Sequence, residues 1–261
     1  MNTTVAGRGS FLLRELLRRD IEARYRGSVL GFLWSFIEPL WQLALFSFVF
    51  GMVLEVRVVG ESTTSFPIFL FAGLLPWMAM QGALARSTTA MLDHAALIKS
   101  HRFPAELFVL TVVLSELIHT ALAALLFVAV LGLTGELSPS SLPLLAIAVP
   151  LQFALTFGMG LALGTAQVFF RDVRRALGLL LNSWFYVTPI VYPLAQVPAR
   201  LRTLIELNPL TGLTELYRAA LLGGPVPWTT ALASLTVCAV LALLIGWKVL
   251  SAFRSSIVDE V

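Results

Sequence analysis

Residues 107–133 read LFVLTVVLSELIHTALAALLFVAVLGL, with one charged side chain, Glu116, and one histidine, His119. A helix rises 1.5 Å per residue, so about 20 such residues cross the ~30 Å of hydrocarbon in a bilayer. Five more stretches share this character: 29–54, 66–85, 142–170, 176–198 and 228–247. The chain of 261 residues has 18 basic and 15 acidic side chains, and only Glu38 and Glu116 fall inside the six stretches. Overall 58% of residues are hydrophobic and 13% charged; an ordinary soluble domain is about half apolar and a quarter charged. These features predict an all-α polytopic membrane protein with six transmembrane helices. They exclude a soluble enzyme, a disordered chain and a nucleic-acid-binding domain. Cys238 stands alone in an apolar run, so no intrachain disulfide is possible.

Basic residues orient the bundle. With the N-terminus in the cytoplasm, the inside segments hold 14 of the 18 lysines and arginines, and the outside holds Arg57, Arg200, Arg202 and Arg218. Positive charge is retained on the cytoplasmic side, so both termini are expected there. Residues 1–27 are assigned to a cytoplasmic interface helix, 28–250 to the six-span bundle and 251–261 to a cytoplasmic tail, all in one transmembrane domain.

Between the spans, three segments carry periodic signals. In 10–26, Leu13, Leu16, Leu17 and Ile21 recur at helical spacing among Arg14, Glu15, Arg18, Arg19 and Glu22. This predicts an amphipathic helix on the membrane face, a basic anchor or a docking surface for a partner. In the inside loop 86–106, residues 92–101 are expected to form a short helix stopped before Pro104. Outside, Asn208-Pro209 and Gly223-Gly224-Pro225 bracket TGLTELYRAALL, with Leu213, Leu216 and Ala220 on one face and Glu215 with Arg218 as an i,i+3 pair. Twelve residues cannot span. With Pro189, Pro193 and Pro198 just upstream, they predict outer re-entrant helices between spans five and six, permitted only where protein or a watery cavity satisfies the backbone.

No HExxH zinc motif, GxSxG elbow or Cys/His cluster is present, so no metal site and no catalytic residues are predicted. No phosphate loop occurs either; if the protein pumps, ATP hydrolysis belongs to another chain. Glu116 and His119 share a helical face, which is read as a self-satisfying polar pair, with a polar pathway or proton coupling as alternatives.

Aromatic residues form a second pattern. Trp34, Glu38, Trp41, Leu45 and Phe48 lie on one face of the first span, and Asn182, Trp184 and Tyr186 cluster in the fifth. Flat rings beside polar groups suit a passing carbohydrate, whose rings offer C–H faces and hydroxyl edges. Interface anchoring and helix packing remain open readings for the same residues. Trp77, Trp228 and Trp247 are read as interface anchors.

Four motifs in order carry a family resemblance. Arg24-Tyr25-Arg26-Gly27-Ser28-Val29-Leu30-Gly31-Phe32-Leu33-Trp34 with Glu38-Pro39-Leu40 resembles the start of the first span in polysaccharide-exporting ABC transporter permeases, the O-antigen, capsule and teichoic-acid exporters. Phe170-Arg171-Asp172-Val173 resembles the loop between spans four and five. Thr188-Pro189-Ile190-Val191-Tyr192, and Asn208-Pro209-Leu210 with Tyr217-Arg218, resemble the outer re-entrant region.

The resemblance implies a half-transporter in the bacterial cytoplasmic membrane that pairs with a second copy of itself and two nucleotide-binding ATPase subunits. ATP and magnesium would sit on those subunits, with no cofactor in this chain. Docking would involve Arg14, Arg18, Asp93, His94, Lys99, Arg102, Arg171 and Asp172. Lipid-linked polysaccharide would pass Trp34, Glu38, Trp41, Phe48, Asn182, Trp184 and Tyr186. It would leave by Pro189, Tyr192, Asn208, Pro209, Glu215, Tyr217 and Arg218. The alternatives are a drug or small-lipid exporter of the same fold, and an intramembrane enzyme acting on lipid-linked sugars.

Overall fold

The computed structural model describes residues 3–54, 58, 61–101, 103–226 and 230–261, and the side chains of these apart from 3–10, 25, 32, 100 and 101. Arg102, assigned to coupling, lies outside the described residues, as do Arg57 and Trp228. Every regular element among them is helical. In chain order these are α1 (Thr3–Tyr25), α2 (Trp34–Phe46), α3 (Phe66–Asp93), α4 (Ala95–His101), α5 (Glu106–Thr134), α6 (Leu145–Phe169), α7 (Val173–Val187), α8 (Ala199–Glu206), α9 (Pro209–Leu222) and α10 (Thr230–Glu260). A wider π-helical turn, Ser47–Val53, prolongs α2.

Among the described residues, five helices are long and apolar enough to cross a membrane: Trp34–Val53, Phe66–Asp93, Glu106–Thr134, Pro139–Phe169 and Thr230–Glu260. The stretch 176–198, expected to span, is instead the 15-residue α7 followed by irregular chain. At 1.5 Å per residue α7 reaches only about 22 Å. Thr188 ends it in an extended conformation (φ −86°, ψ 137°), as the ring of the following Pro189 disfavours helix at that position.

Other boundaries move for local reasons. α3 runs on to Asp93, so the expected 92–101 helix is two pieces, the end of α3 and α4, parted at His94. Helix α8 was not anticipated. The supposed tail is the last three turns of α10. Pro150 does not end α6, which runs through it from Leu145 to Phe169; the helix forgoes the one backbone hydrogen bond that proline cannot donate. Gly27 and Gly31, both at positive φ (81° and 48°), separate α1 from α2.

Helix α3 is the hub. Phe69, Leu70, Phe71, Leu75, Met80 and Leu84 are fully buried on it, packed by α5, α6, α7 and α9. Trp77, expected as an interface anchor, is buried here against Phe185 at 5.5 Å. Helices α6 and α10 lie close along their length. A Cβ on Gly158 would meet the Ala242 backbone at 2.2 Å, and one on Gly246 the Gly158 carbonyl at 2.1 Å. Small residues of this kind let helix backbones touch in lipid, where no hydrophobic force drives association. Helix α9 is buried nearly all round, not on the single face its periodicity suggested, because α3, α6 and α10 surround it.

Candidate functional site: a polar groove beside α2

With its π-helical extension, α2 is the least embedded of the membrane-length helices among the described residues. Only Ser35 and Pro39 are buried on it. Beside it lie three adjoining clefts. The first, of about 270 Å³, is lined by Arg24, Ser28, Trp34, Glu38 and His119. The second, about 300 Å³, shares Arg24, Glu38 and His119 and adds Gln42, Met78, Gln81 and Glu116 among its walls. The third, about 470 Å³, shares Gln42, Met78 and Gln81 and opens onto Trp77, Asn182, Phe185 and Tyr186. Shared walls make these one groove, running from the end of α1, past α3 and α5, to α7.

The groove gathers part of the predicted path. Trp34, Glu38, Asn182 and Tyr186 line it. Trp41 and Phe48 do not line these clefts; they stand 68% and 57% exposed on the outer face of the first span. Trp184 is a structural residue. Its indole N–H donates to Asn208 Oδ1 at 2.8 Å, and it packs on the core.

Glu116 is held by two arginines rather than by His119 alone. Arg24 from α1 and Arg86 from α3 both donate to its Oε1 at 2.9 Å, and Arg86 also pairs with Asp20 of α1. The carboxylate is almost fully buried. It occupies space that only glycine leaves free, since a Cβ on Gly82 would lie 2.9 Å from Oε2. A carboxylate so neutralised is a structural anchor between α1 and the bundle, and a poor general base.

The outer residues form a tie. Arg218 is buried and donates to the carbonyls of Pro189 (2.8 Å), Ile190 (2.8 Å) and Phe69 (3.3 Å). It pairs with Glu215 at 2.7 Å and sits 3.6 Å from the Phe69 ring centroid. Those carbonyls belong to α3 and to the break after α7, where the proline-rich chain has no helix to satisfy it. Asn208 caps α9 through Leu210 N (3.1 Å) and donates to Thr188 Oγ1 (2.9 Å), with Pro209 behind it as the first helical residue. The Tyr192 hydroxyl donates to the terminal α7 carbonyls of Tyr186 and Val187. Tyr217 donates to Gln152, which donates to the Pro76 carbonyl at 3.0 Å.

On the expected cytoplasmic side, Arg14, Arg18, Asp93, Lys99, Arg171 and Asp172 are exposed. Arg18 pairs with Glu22 at 3.1 Å, and Arg19 with Glu15 at 2.8 Å, which holds the Glu15 carboxyl below its ordinary value. His94 is not free for docking. Its ring stacks on Phe108 at 4.5 Å, and Nδ1 lies 2.9 Å from the Ala90 carbonyl. The turn after α6 is set by Gln167, which binds Arg174 N (2.8 Å) and the Arg171 carbonyl.

Arg86, Gln42, Gln81 and Gly82 were not singled out in the sequence, and Arg24 only as the first residue of the span-one motif. Gln42 carried a usable signal: it stands one helical turn from Glu38 in an otherwise apolar helix. The arginines carried none, since Arg24 and Glu116 are 92 residues apart.

Residues 12–222 match the ABC-2 type transporter model. The chain belongs to the ABC-2 type transporter family. This ABC-2 chain is 31% identical over 247 residues to the O-antigen export system permease protein RfbA of Myxococcus xanthus, covering 94% of this chain and 92% of the relative. It is 27% identical over 233 residues to the polysialic acid transport protein KpsM of Escherichia coli, covering 88% and 89%. It is 24% identical over 249 residues to the capsule polysaccharide export inner-membrane protein CtrC of Neisseria meningitidis, covering 93% and 91%.

Proposed function

We propose that the chain is the membrane subunit of an ATP-driven exporter that moves lipid-linked polysaccharide across a bacterial cytoplasmic membrane. The observation that carries this is the groove: a carboxylate, three side-chain amides and aromatic rings on a shared wall within the apolar bundle. Carboxylates accept from hydroxyls, amides both accept and donate, and rings receive sugar C–H faces. The related permeases named above, matched along almost their whole length, support the same cargo class.

In this reading two copies combine, and each recruits a nucleotide-binding ATPase through exposed Arg14, Arg18, Asp93, Lys99 and the Arg171–Asp172 turn. The chain crosses six times with both termini inside, α7 and the Pro189–Pro198 segment together making the fifth passage. The tie made by Arg218 and Asn208 forms the exit. ATP binding on the partner biases two conformations of the path, which requires that each differ in affinity for the polymer. Deleting the gene tests this directly: surface glycan is lost while lipid-linked glycan accumulates inside. Intact surface glycan with new drug sensitivity would assign the chain to small-molecule export instead.

A further inference from the structure

Where the second and third clefts meet, three residues belong to both: Gln42 of α2, and Met78 and Gln81 of α3. We infer that Gln42 and Gln81 form a hydroxyl-reading station, the point in the groove where sugar rings are discriminated from apolar cargo. The inference rests on the export reading above and names the residues that select within it.

The decisive feature is one atom. The Gln42 amide oxygen is buried and has no hydrogen-bond partner among the described residues. One carboxylate oxygen each of Asp20 and Glu106 also lacks a partner, but those carboxylates are already paired through the other oxygen, with Arg86 and Arg254. Buried hydroxyls without partners also occur, at Ser87, Ser115, Thr156 and Thr165. These differ chemically, since a helical hydroxyl can turn to the carbonyl one turn back in its own helix. An amide oxygen accepts only, and helix N–H groups in a bundle are already committed to the ladder. Gln42 therefore needs a donor that the fold does not supply. Water or a ligand hydroxyl answers that need. A site built to pair a hydroxyl rejects cargo that lacks one, because its polar group is then left unpaired.

Position supports the assignment. Gln42 and Gln81 come from two helices on a shared stretch of wall, and Asn182 follows in the next cleft. Each amide offers both donor and acceptor, the pattern that a sugar hydroxyl returns. Met78, on the same shared wall, is unbranched and adaptable, which suits rings of varying substitution. Tyr186 at the third cleft adds an exposed flat ring.

The test uses the whole exporter in cells that make their own glycan, detected with antiserum to that glycan. A photo-crosslinking amino acid, p-benzoylphenylalanine, replaces Gln42, Gln81 or, as a lipid-side control, Leu125, which is 69% exposed. Glycan adducts are expected at 42 and 81 and not at 125. In parallel, Gln42→Leu lowers surface glycan about tenfold, the loss of one hydrogen bond to cargo, at unchanged membrane level of the chain. Gln42→Asn, which keeps an amide, restores part of it. No glycan adducts at 42 or 81, adducts at 125 as strong as at 42 and 81, or full export by Gln42→Leu, overturn the station while leaving the export reading standing. Surface glycan that persists after deletion of the gene overturns both.

Discussion

Arg24, at the end of α1, donates to Glu116 in α5 at 2.9 Å, and this ion pair crosses the wall of the groove where α1 meets the bundle. Two arginines share the buried carboxylate, so its removal exposes two cations to mutual repulsion at once. Glu116→Gln is expected to destabilise the folded chain by about 3 kcal/mol, the low end for a broken buried pair because both arginines keep some solvent. Arg24→Gln costs less, since Arg86 still neutralises Glu116. Thermal unfolding of the purified chain in detergent checks the order.

Gly82 is tied to the same network. Gly82→Val places a side chain where the Glu116 carboxylate sits, 2.9 Å from the ideal Cβ. The variant is expected to release α1 from the bundle, read as faster proteolysis after Tyr25 with α5 and α10 still protected.

Arg218 serves three carbonyls and one carboxylate from full burial. Arg218→Met strips the donor from the Pro189 and Ile190 carbonyls and leaves the Glu215 carboxylate unpaired, and is expected to cost about 3–5 kcal/mol. Arg218→Lys recovers little, because a point charge cannot fork to three carbonyls. The level of folded chain in membranes reads this.

The α6–α10 seam is equally intolerant. Gly158→Val forces two backbones apart and is expected to lose at least 2 kcal/mol. Gly178→Ala is the control. Nothing lies within 4 Å of the Cβ that it would add to α7, so it is expected to stabilise by about 0.5–1 kcal/mol through helix propensity.

Burial raises the carboxyl of Glu61, in the loop before α3, from 4.5 to about 7; Glu215 adds to the shift and Arg218 opposes it. The folded state then binds more protons than the unfolded state between pH 4.5 and 7. Stability is therefore expected to fall as pH rises through that window. Glu61→Gln should flatten the profile, as measured by unfolding temperature against pH.

Much of the fold was legible because hydrocarbon thickness constrains helix length so strongly. Five of the six apolar stretches are spanning-length helices, and Asn208, Glu215 and Arg218 sit where turn and pairing chemistry put them. The fifth stretch is not one continuous helix, which hydropathy alone does not reveal: Pro189, Pro193 and Pro198 are apolar yet cannot continue a helix. In the groove, the face shared by Trp34 and Glu38 was legible from spacing, whereas the Trp184 bond to Asn208 joins elements 24 residues apart. Glu116 looked locally paired with His119 because i,i+3 neighbours are visible in sequence and distant arginines are not. Gln42 could be placed on the Glu38 face from spacing, but its unpartnered amide oxygen is visible only in the fold.

The central claim is ATP-driven passage of glycan through this subunit. The most direct measurement reconstitutes the chain with its ATPase in vesicles, with lipid-linked glycan on the ATPase side, and asks whether glycan becomes protected from an external glycosidase. Protection that requires ATP and both chains, and that falls in Trp34→Ala and Gln42→Leu, is the expected result. Protection without ATP, or ATP hydrolysis by this chain alone, would contradict it.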